Sequence, residues 1–165
     1  MNKINNIFLK KKILIYGLGK SGISTYNFLR HKAKLNLFDD NLQNSLGFDE
    51  KSLSFSKILK SDFDFIIISP GIDISKCKLS KYLKQNSSKV YTDFDVFYSF
   101  FGNDSVTITG TNGKSTTAKL LYDVLRDQKK DARLVGNIGN PILSEKKITN
   151  KTFFVIEASS YQLEY

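Results

Sequence analysis

The sequence predicts an α/β protein whose strands run parallel, organised as two successive units. Apolar runs of strand length alternate with segments of helical periodicity, and twice a strand gives way to a helix through a glycine-rich turn. Residues 13–16 open the series as a short β-branched and aromatic run that stops at Gly17. From Ser21 to about His31 a helix follows, with Gly22, Tyr26 and Leu29 on one face and Ile23 beside them. Residues 35–38 read as the second strand, ending on Asp39 and Asp40, so that the first 40 residues form a β-α-β unit.

Residues 41–61 are polar and weakly periodic, and only a loop and one short helix are expected there. Residues 63–68 are almost continuously apolar, as in a parallel strand covered on both faces, and Ser69, Pro70 and Gly71 end them abruptly. A helix over 79–85, a short strand over 89–91 and an aromatic-rich helix over 94–101 complete the first unit. The small polar break at 102–104 marks a boundary, giving domains 1–103 and 104–165. The pattern then restarts with a strand over 106–109, a glycine turn and a helix from Ser115 to about Lys129. Ala118, Leu121, Tyr122 and Leu125 fall at i, i+3, i+4 and i+7 on that helix and define one buried face. Leu134 and Val135 suggest a strand edge, and residues 153–156 a buried strand ending at Glu157. With about three strands and one long helix, the second unit is too small to cover both faces of a parallel sheet. A truncated product, marginally stable alone, is therefore expected.

Composition narrows the function classes. The net charge of +9 raises the question of a polyanionic partner, yet the basic residues are mostly scattered lysines, with Arg30, Arg126 and Arg133 the arginines. No basic stripe with interleaved stacking aromatics runs through the chain, so nucleic-acid binding is not expected. Cys77 is the single cysteine, which excludes an intrachain disulfide and a thiolate metal cluster and fits a reducing cytoplasm. The N-terminal residues lack the apolar stretch of a signal peptide, and no run reaches membrane-spanning length, so neither export nor a membrane role is expected. His31, the sole histidine, falls in a polar helix-end stretch and reads as a surface residue.

Two motifs carry chemistry. Residues 110–116, G-T-N-G-K-S-T, join a buried strand to a helix N-terminus, where free backbone N–H groups and the helix dipole favour an anion. Gly110 and Gly113 allow the backbone to curl round a phosphate, Thr111, Asn112 and Thr116 complete the cradle, and Lys114 reaches the terminal phosphates. The Ser115 hydroxyl is placed to ligate Mg²⁺. The first glycine of the general phosphate-loop spacing would fall on Ile108, so the assignment rests on the strand-turn-helix context and on Lys-Ser after Gly113. ATP or a close relative is the expected ligand. Glu157, at the end of the next clear strand, is a candidate second magnesium ligand, a helix cap or surface acid being the plainer alternative.

The other motif, residues 17–22, is G-x-G-x-x-G after a strand and before a helix, with Asp39 closing the next strand. Read alone it is a dinucleotide fingerprint that admits NAD. More broadly, it binds the pyrophosphate of some nucleotide, while Asp39 meets a ribose or ends its strand. Ser69, Pro70, Gly71 and Ile72 follow the third strand on the same carboxyl edge, where open α/β sheets bind ligands.

Taken together, G-L-G-K-S-G at 17–22, S-P-G-I at 69–72, G-T-N-G-K-S-T at 110–116, G-N-I-G at 136–139 and E-A-S-S-Y-Q-L-E at 157–164 resemble the ATP-dependent Mur ligases of peptidoglycan synthesis. The resemblance covers nearly the whole chain, and the wording is closest to the D-glutamate-adding members. It implies a Rossmann-like N-terminal domain that binds the uridine diphosphate part of the substrate, without nicotinamide. The start of a phosphate-loop ATPase-like central domain follows. Gly19, Ser21, Asp39 and residues 69–72 would then line the uridine-nucleotide site. Gly110 to Thr116 would hold ATP, Ser115 and Glu157 would hold Mg²⁺, and Asn137, Ser159 and Gln162 would lie near the muramoyl-alanine end or the metal. Lys20, Asp40 and Asn41 depart from the family pattern. The implied reaction converts the carboxylate of UDP-N-acetylmuramoyl-L-alanine to an acyl phosphate, which the amine of D-glutamate attacks, with Lys114 and Mg²⁺ stabilising charge. The family's later central-domain lysine and C-terminal domain lie beyond Tyr165, so 165 residues alone are expected to be inactive, cytoplasmic and monomeric. The competing readings are another ligase of the family, a non-catalytic nucleotide-binding remnant, and an NAD-linked dehydrogenase.

Overall fold

A computed structural model describes residues 6–41, 47–48 and 50–159. Four parallel strands, β1 (Lys12–Tyr16), β2 (Lys34–Phe38), β3 (Phe65–Ile68) and β4 (Val90–Thr92), form a first sheet in the order β2-β1-β3-β4. A second parallel sheet has the order β5-β7-β6, from β5 (Ser105–Ile108), β6 (Ala132–Gly136) and β7 (Phe153–Glu157). The α/β class with parallel sheets is therefore as the sequence predicts. Because the chain steps from β1 outward to β2 and then back across β1 to β3, the connections diverge at the carboxyl end of β1, the place where such sheets open a crevice. Register sharpens this: Tyr16 pairs with Phe38 and with Ile68, and Ile68 with Thr92, so the loops after all four strands leave from one line.

The continuous apolar runs are explained by burial on both faces. Ile13 and Ile15 point to one side with α1 (Lys20–Leu29) and α4 (Asp93–Phe100), whereas Leu14 and Tyr16 point to the other, among Ile58 of α2 (Phe55–Leu59) and Leu83 of α3 (Ser80–Gln85). The outer edge of β2 is covered by residues 51–53, where the Leu37 N–H donates to Lys51 O and the Leu53 N–H to Leu37 O, both at 2.9 Å. Thr92 and Asp95 form a capping box that starts α4, with both the Thr92 N–H and its hydroxyl donating to Asp95 Oδ2 at 2.7 Å.

The second sheet has helix α5 (Lys114–Asp127) on one side, with Ala118 fully buried beneath it. Its other side is covered as well, contrary to the expectation of an incomplete layer. Phe154, Ile156 and Val135 join the same core as Phe94 and Phe97 of α4 and as Ile142 and Leu143 of a 3-10 turn (Ile142–Ser144). The rings of Phe97 and Phe154 lie 4.8 Å apart in an edge-to-face contact that joins the two units. The first unit's aromatic helix thus supplies the layer that the second unit's own helices cannot.

One face assignment is corrected and one is narrowed. On α1 the buried residues are Gly22, Ser24, Thr25 and Leu29, while Ile23 is exposed, because the helix turns its small residues toward the glycine turn and α4. On α5 the phase is as read, with Leu121, Tyr122 and Leu125 partly buried, but only Ala118 is fully covered and Leu120 is 64% exposed. The reason is that one helix spans three short strands, leaving its flanks without neighbours.

Candidate functional site

The first glycine turn is locked from three directions. Gly17 holds φ +93, in the region that favours glycine, and a Cβ there would lie 2.8 Å from Ser69 Cβ. The Ser69 hydroxyl donates to Gly17 O at 2.7 Å. Gly22 lies so close beneath the turn that a Cβ would come within 1.8 Å of Gly17 O. Asp39, only 8% exposed, accepts the Leu18 N–H at 2.6 Å through Oδ2 and the Asn41 N–H at 2.8 Å through Oδ1. Asp39 is thus a buried clasp that ties the turn after β1 to the turn after β2. We expect Asp39→Ala to leave the Leu18 N–H without its acceptor and to cost about 1–3 kcal/mol, read as a lower urea midpoint at unchanged slope.

Gly19, by contrast, has nothing within 4 Å of a notional Cβ and is the N-cap of α1 without any side-chain cap. The first-turn N–H groups of α1 therefore face open space, the arrangement that receives an anion. A cleft of about 430 Å³ lies there, lined by Gly19, Ser21 and Asp39 and by Ser69, Pro70, Gly71 and Ile72. The structure thus gathers these seven sequence-derived residues at one site. Asp40, one of the departures from the family wording, turns away to a different duty: its Oδ1 accepts the Tyr16 hydroxyl at 2.8 Å, and the Lys78 ammonium donates to its carbonyl at 2.7 Å. Burial, with Cys77 and Asp40 alongside, pushes the Tyr16 hydroxyl well above the ordinary tyrosine range.

The second glycine turn leaves β5. Gly110 and Gly113 hold φ +142 and +77, and Gly113 caps α5. The Lys114 ammonium donates to Gly110 O at 2.7 Å, folding back over the turn and giving it its curl. Ser115 and Thr116 follow on the exposed first turn of α5, beside Leu134 and Ile138. Glu157 pairs in register with Ile108 on one side and Gly136 on the other, so its carboxylate stands at the carboxyl edge between the strand that enters the second glycine turn and the strand that enters G-N-I-G. It is 4% exposed, and its Oε2 has no hydrogen-bond partner among the described residues. The surface-acid alternative is thereby excluded.

The G-N-I-G segment is a tight return pressed against the end of β7. Gly136, at φ +106, would place a Cβ 2.2 Å from Glu157 O, and Gly139, at φ +75, one 2.1 Å from Leu134 O. The Asn137 N–H donates to Glu157 O at 2.9 Å. This return carries Asn137 onto the wall of the first cleft, together with Gly139 and Pro141. Ser159 follows two residues after Glu157 and is half-buried, outside that lining. Gln162 lies outside the described residues. Two features escaped sequence reading. Pro141 and Gly139 reach the cleft only through the fold of the return, and Asp93, at the first position of α4, is 4% exposed with its Oδ1 unpartnered among the described residues. A buried acid directly behind a glycine-rich turn leaves no local pattern to find.

No helix among the described residues is long and apolar enough to cross a membrane. Comparison with known proteins agrees with the motif wording. Residues 108–165 match the Mur ligase middle domain. Over 164 residues the chain is 35% identical to UDP-N-acetylmuramoylalanine–D-glutamate ligase of Rickettsia bellii, covering 96% of this chain and 36% of the relative. The protein of the same name from Rickettsia prowazekii is 36% identical over 167 residues, with the same coverage. That from Caldicellulosiruptor saccharolyticus is 34% identical over 168 residues, covering 93% of this chain and 37% of its own length. The chain thus spans just over a third of the length of the relatives it matches. On these matches, and on the described parts of the motifs that the fold brings to the carboxyl edges of its two sheets, the chain belongs to the Mur ligase family.

Proposed function

We propose that the chain forms the substrate-nucleotide and ATP-phosphate region of an ATP-dependent ligase of peptidoglycan precursor synthesis, one that joins D-glutamate to UDP-N-acetylmuramoyl-L-alanine. The observation that carries this reading is the G-N-I-G return: one segment both holds the backbone of Glu157 and lends Asn137 to the cleft of the first glycine turn. A reaction that moves a phosphoryl group from one nucleotide to a carboxylate carried by another needs this kind of link between two sites. Residues 1–103 are then the uridine-nucleotide domain and residues 104–165 the beginning of the ATP-binding domain. Gly19, Ser21, Asp39 and residues 69–72 serve the first ligand, and residues 110–116 the second, with Asn137, Ser159 and Gln162 toward the reacting end.

The donor set fits a hard cation. Glu157 offers a buried carboxylate oxygen without a donor among the described residues, and Ser115 a hydroxyl at the phosphate turn. Among the described residues no three His, Cys, Asp or Glu side chains gather as a self-sufficient metal centre, which suits an ion completed by phosphate oxygens and water. Bound Mg²⁺ would supply neutralisation of phosphate charge. Lys114 would exchange its bond to Gly110 O for the terminal phosphates and hold their charge as the carboxylate oxygen attacks. D-glutamate would then displace phosphate from the activated acyl group. The reading carries with it a cytoplasmic, monomeric protein.

The test is separate calorimetric titration of the chain with UDP-N-acetylglucosamine, ATP-Mg²⁺ and NADH. The expected result is binding of the first two with additive stoichiometry and no heat with NADH. Preferential binding of NADH would overturn the ligase reading in favour of a dehydrogenase.

A further inference from the structure

Lysines that are scattered along the chain are gathered by the fold at one end of the first sheet. The Lys10 N–H donates to Lys32 O at 2.7 Å, the Lys34 N–H to Lys11 O at 2.8 Å and the Asp64 N–H to Lys12 O at 2.9 Å, so the amino ends of β1, β2 and β3 lie side by side. Lys10, Lys11 and Lys12 lead into β1, and Arg30, Lys32 and Lys34 into β2. Lys60 and Lys89 precede β3 and β4. Against these eight cations the same edge carries two carboxylates, each already taken by a lysine: Asp62 lies 2.6 Å from Lys89, and Asp64 3.5 Å from Lys11. Lys10, Arg30, Lys34 and Lys60 are exposed, and their side chains have no hydrogen bond or ion pair among the described residues. The carboxyl edge, where the first cleft opens, has the opposite balance, with Asp39, Asp40, Asp73, Asp93 and Asp95 against three lysines. The sheet thus separates its charge from end to end.

The basic end also exposes aliphatic surface. Phe8 is buried, its ring 4.8 Å from that of Phe65 and 5.6 Å from that of Tyr91, and the Asn6 side-chain amide donates to Ser99 O near the end of α4 at 2.7 Å. These contacts pin residues 6–9 to the amino edge. The two neighbours of Phe8, Ile7 and Leu9, are left 50% and 40% exposed directly before Lys10.

We propose that this edge is a docking surface for an anionic phospholipid bilayer, with the basic side chains among the headgroups and Ile7 and Leu9 beneath them. Aliphatic side chains set among cations match a bilayer boundary, where negative charge lies above hydrocarbon. A nucleic acid would instead need arginine forks and exposed rings for stacking, whereas this edge offers one arginine and its Phe8 and Phe63 rings are buried. Attachment of this kind lies on the surface and requires no spanning helix, so it revises the sequence expectation of no membrane role and agrees with the lack of such a helix among the described residues. Because the first cleft opens at the other end of the strands, it faces away from the lipid.

The experiment is cosedimentation of the 165-residue chain with vesicles of phosphatidylcholine alone and of phosphatidylcholine with roughly one-third phosphatidylglycerol. Binding is expected to the anionic vesicles only, and to vanish at about 1 M salt, where the Debye length falls to about 3 Å. Each basic residue at such a surface contributes roughly fivefold, so Lys10→Gln with Lys34→Gln should weaken binding by about 25-fold at an unchanged urea midpoint. Ile7→Ser with Leu9→Ser should weaken it as well, while its dependence on charge persists. Lys76→Gln with Lys119→Gln removes the same charge from the loop after β3 and from α5, and should stay within about twofold of the parent. Saturating UDP-N-acetylglucosamine or ATP-Mg²⁺ should leave vesicle binding unchanged, which separates the edge from the two glycine turns. An equal loss in the Lys76 and Lys119 pair, release by either nucleotide, equal binding to neutral vesicles, or undiminished binding in either edge variant would overturn the proposal. So would the absence of binding to any vesicle, and tighter binding of a short single-stranded RNA would assign the edge to nucleic acid instead. None of these outcomes bears on the ligase reading, which stands or falls on the nucleotide titrations.

Discussion

Gly22→Ala is expected to unfold the first glycine turn, whereas Gly19→Ala, three residues earlier in the same motif, should leave the fold untouched. A Cβ at Gly22 would lie 1.8 Å from Gly17 O and 2.9 Å from Gly17 C. Both are backbone atoms, so no rotamer change relieves the overlap, and α1 must lift from the end of β1. That movement also opens the Ser69 hydroxyl bond to Gly17 O, because Ser69 Oγ lies 2.9 Å from the same Cβ. The expected loss is at least about 3 kcal/mol, above the usual range for overpacking because rigid backbone stands on one side of the clash. Against a total stability of about 5–15 kcal/mol for a domain this is a large share, visible as a collapsed urea midpoint. Gly19 has φ −70 and open space around its notional Cβ, so Gly19→Ala should change stability by less than about 0.5 kcal/mol. Its methyl group would instead stand in the cleft and weaken UDP-N-acetylglucosamine binding. Equal urea midpoints for the two variants would refute the close packing of α1 on the turn.

That contrast also measures how far the sequence was readable. The spacing of glycines 17, 19 and 22 announces a nucleotide turn, but it does not say which glycine is there for the ligand and which for the helix, since that depends on where α1 lies against β1. Strands β1, β3 and β7 were legible because burial leaves a nearly uninterrupted apolar run. The inward face of α1 was not. Ser24 and Thr25 are buried by α4 and the 3-10 turn, contacts separated from them by tens of residues, and Ile23 is turned outward as a consequence. The same non-local packing hid Asp93 and the cover that α4 gives the second sheet. At the site, Ser69 and Asp39 were identified by position, yet their side chains are spent on Gly17 O and on the Leu18 and Asn41 N–H groups. Spacing located them; only the hydrogen bonds say that they shape the cradle.

Glu157→Gln should have opposite effects on the free and the nucleotide-bound chain. Among the described residues Glu157 Oε2 is buried without a donor, a costly state for a charged oxygen, and the neutral amide removes that charge at nearly the same volume. The ligand-free variant is therefore expected to melt at a temperature no lower than the parent, and slightly higher. With ATP-Mg²⁺ the order reverses. A ligand at a hundred times its Kd stabilises the parent by about 2.7 kcal/mol, which for a chain of this size raises Tm by roughly 5–10 °C. If Glu157 is the carboxylate partner of the cation, the variant should lose most of that rise and become insensitive to chelation, while keeping the weaker, metal-independent contact of phosphate with the α5 N-terminus. Ser115→Ala should resemble it in part, since one neutral oxygen ligand is removed and the charged one stays. The decisive comparison is the magnesium-dependent part of the Tm shift. Full retention of it in Glu157→Gln would assign the buried carboxylate to the fold alone, as the strut under the Gly136 return. Its loss, together with an unchanged or higher ligand-free Tm, cannot come from a merely damaged fold, because damage lowers both.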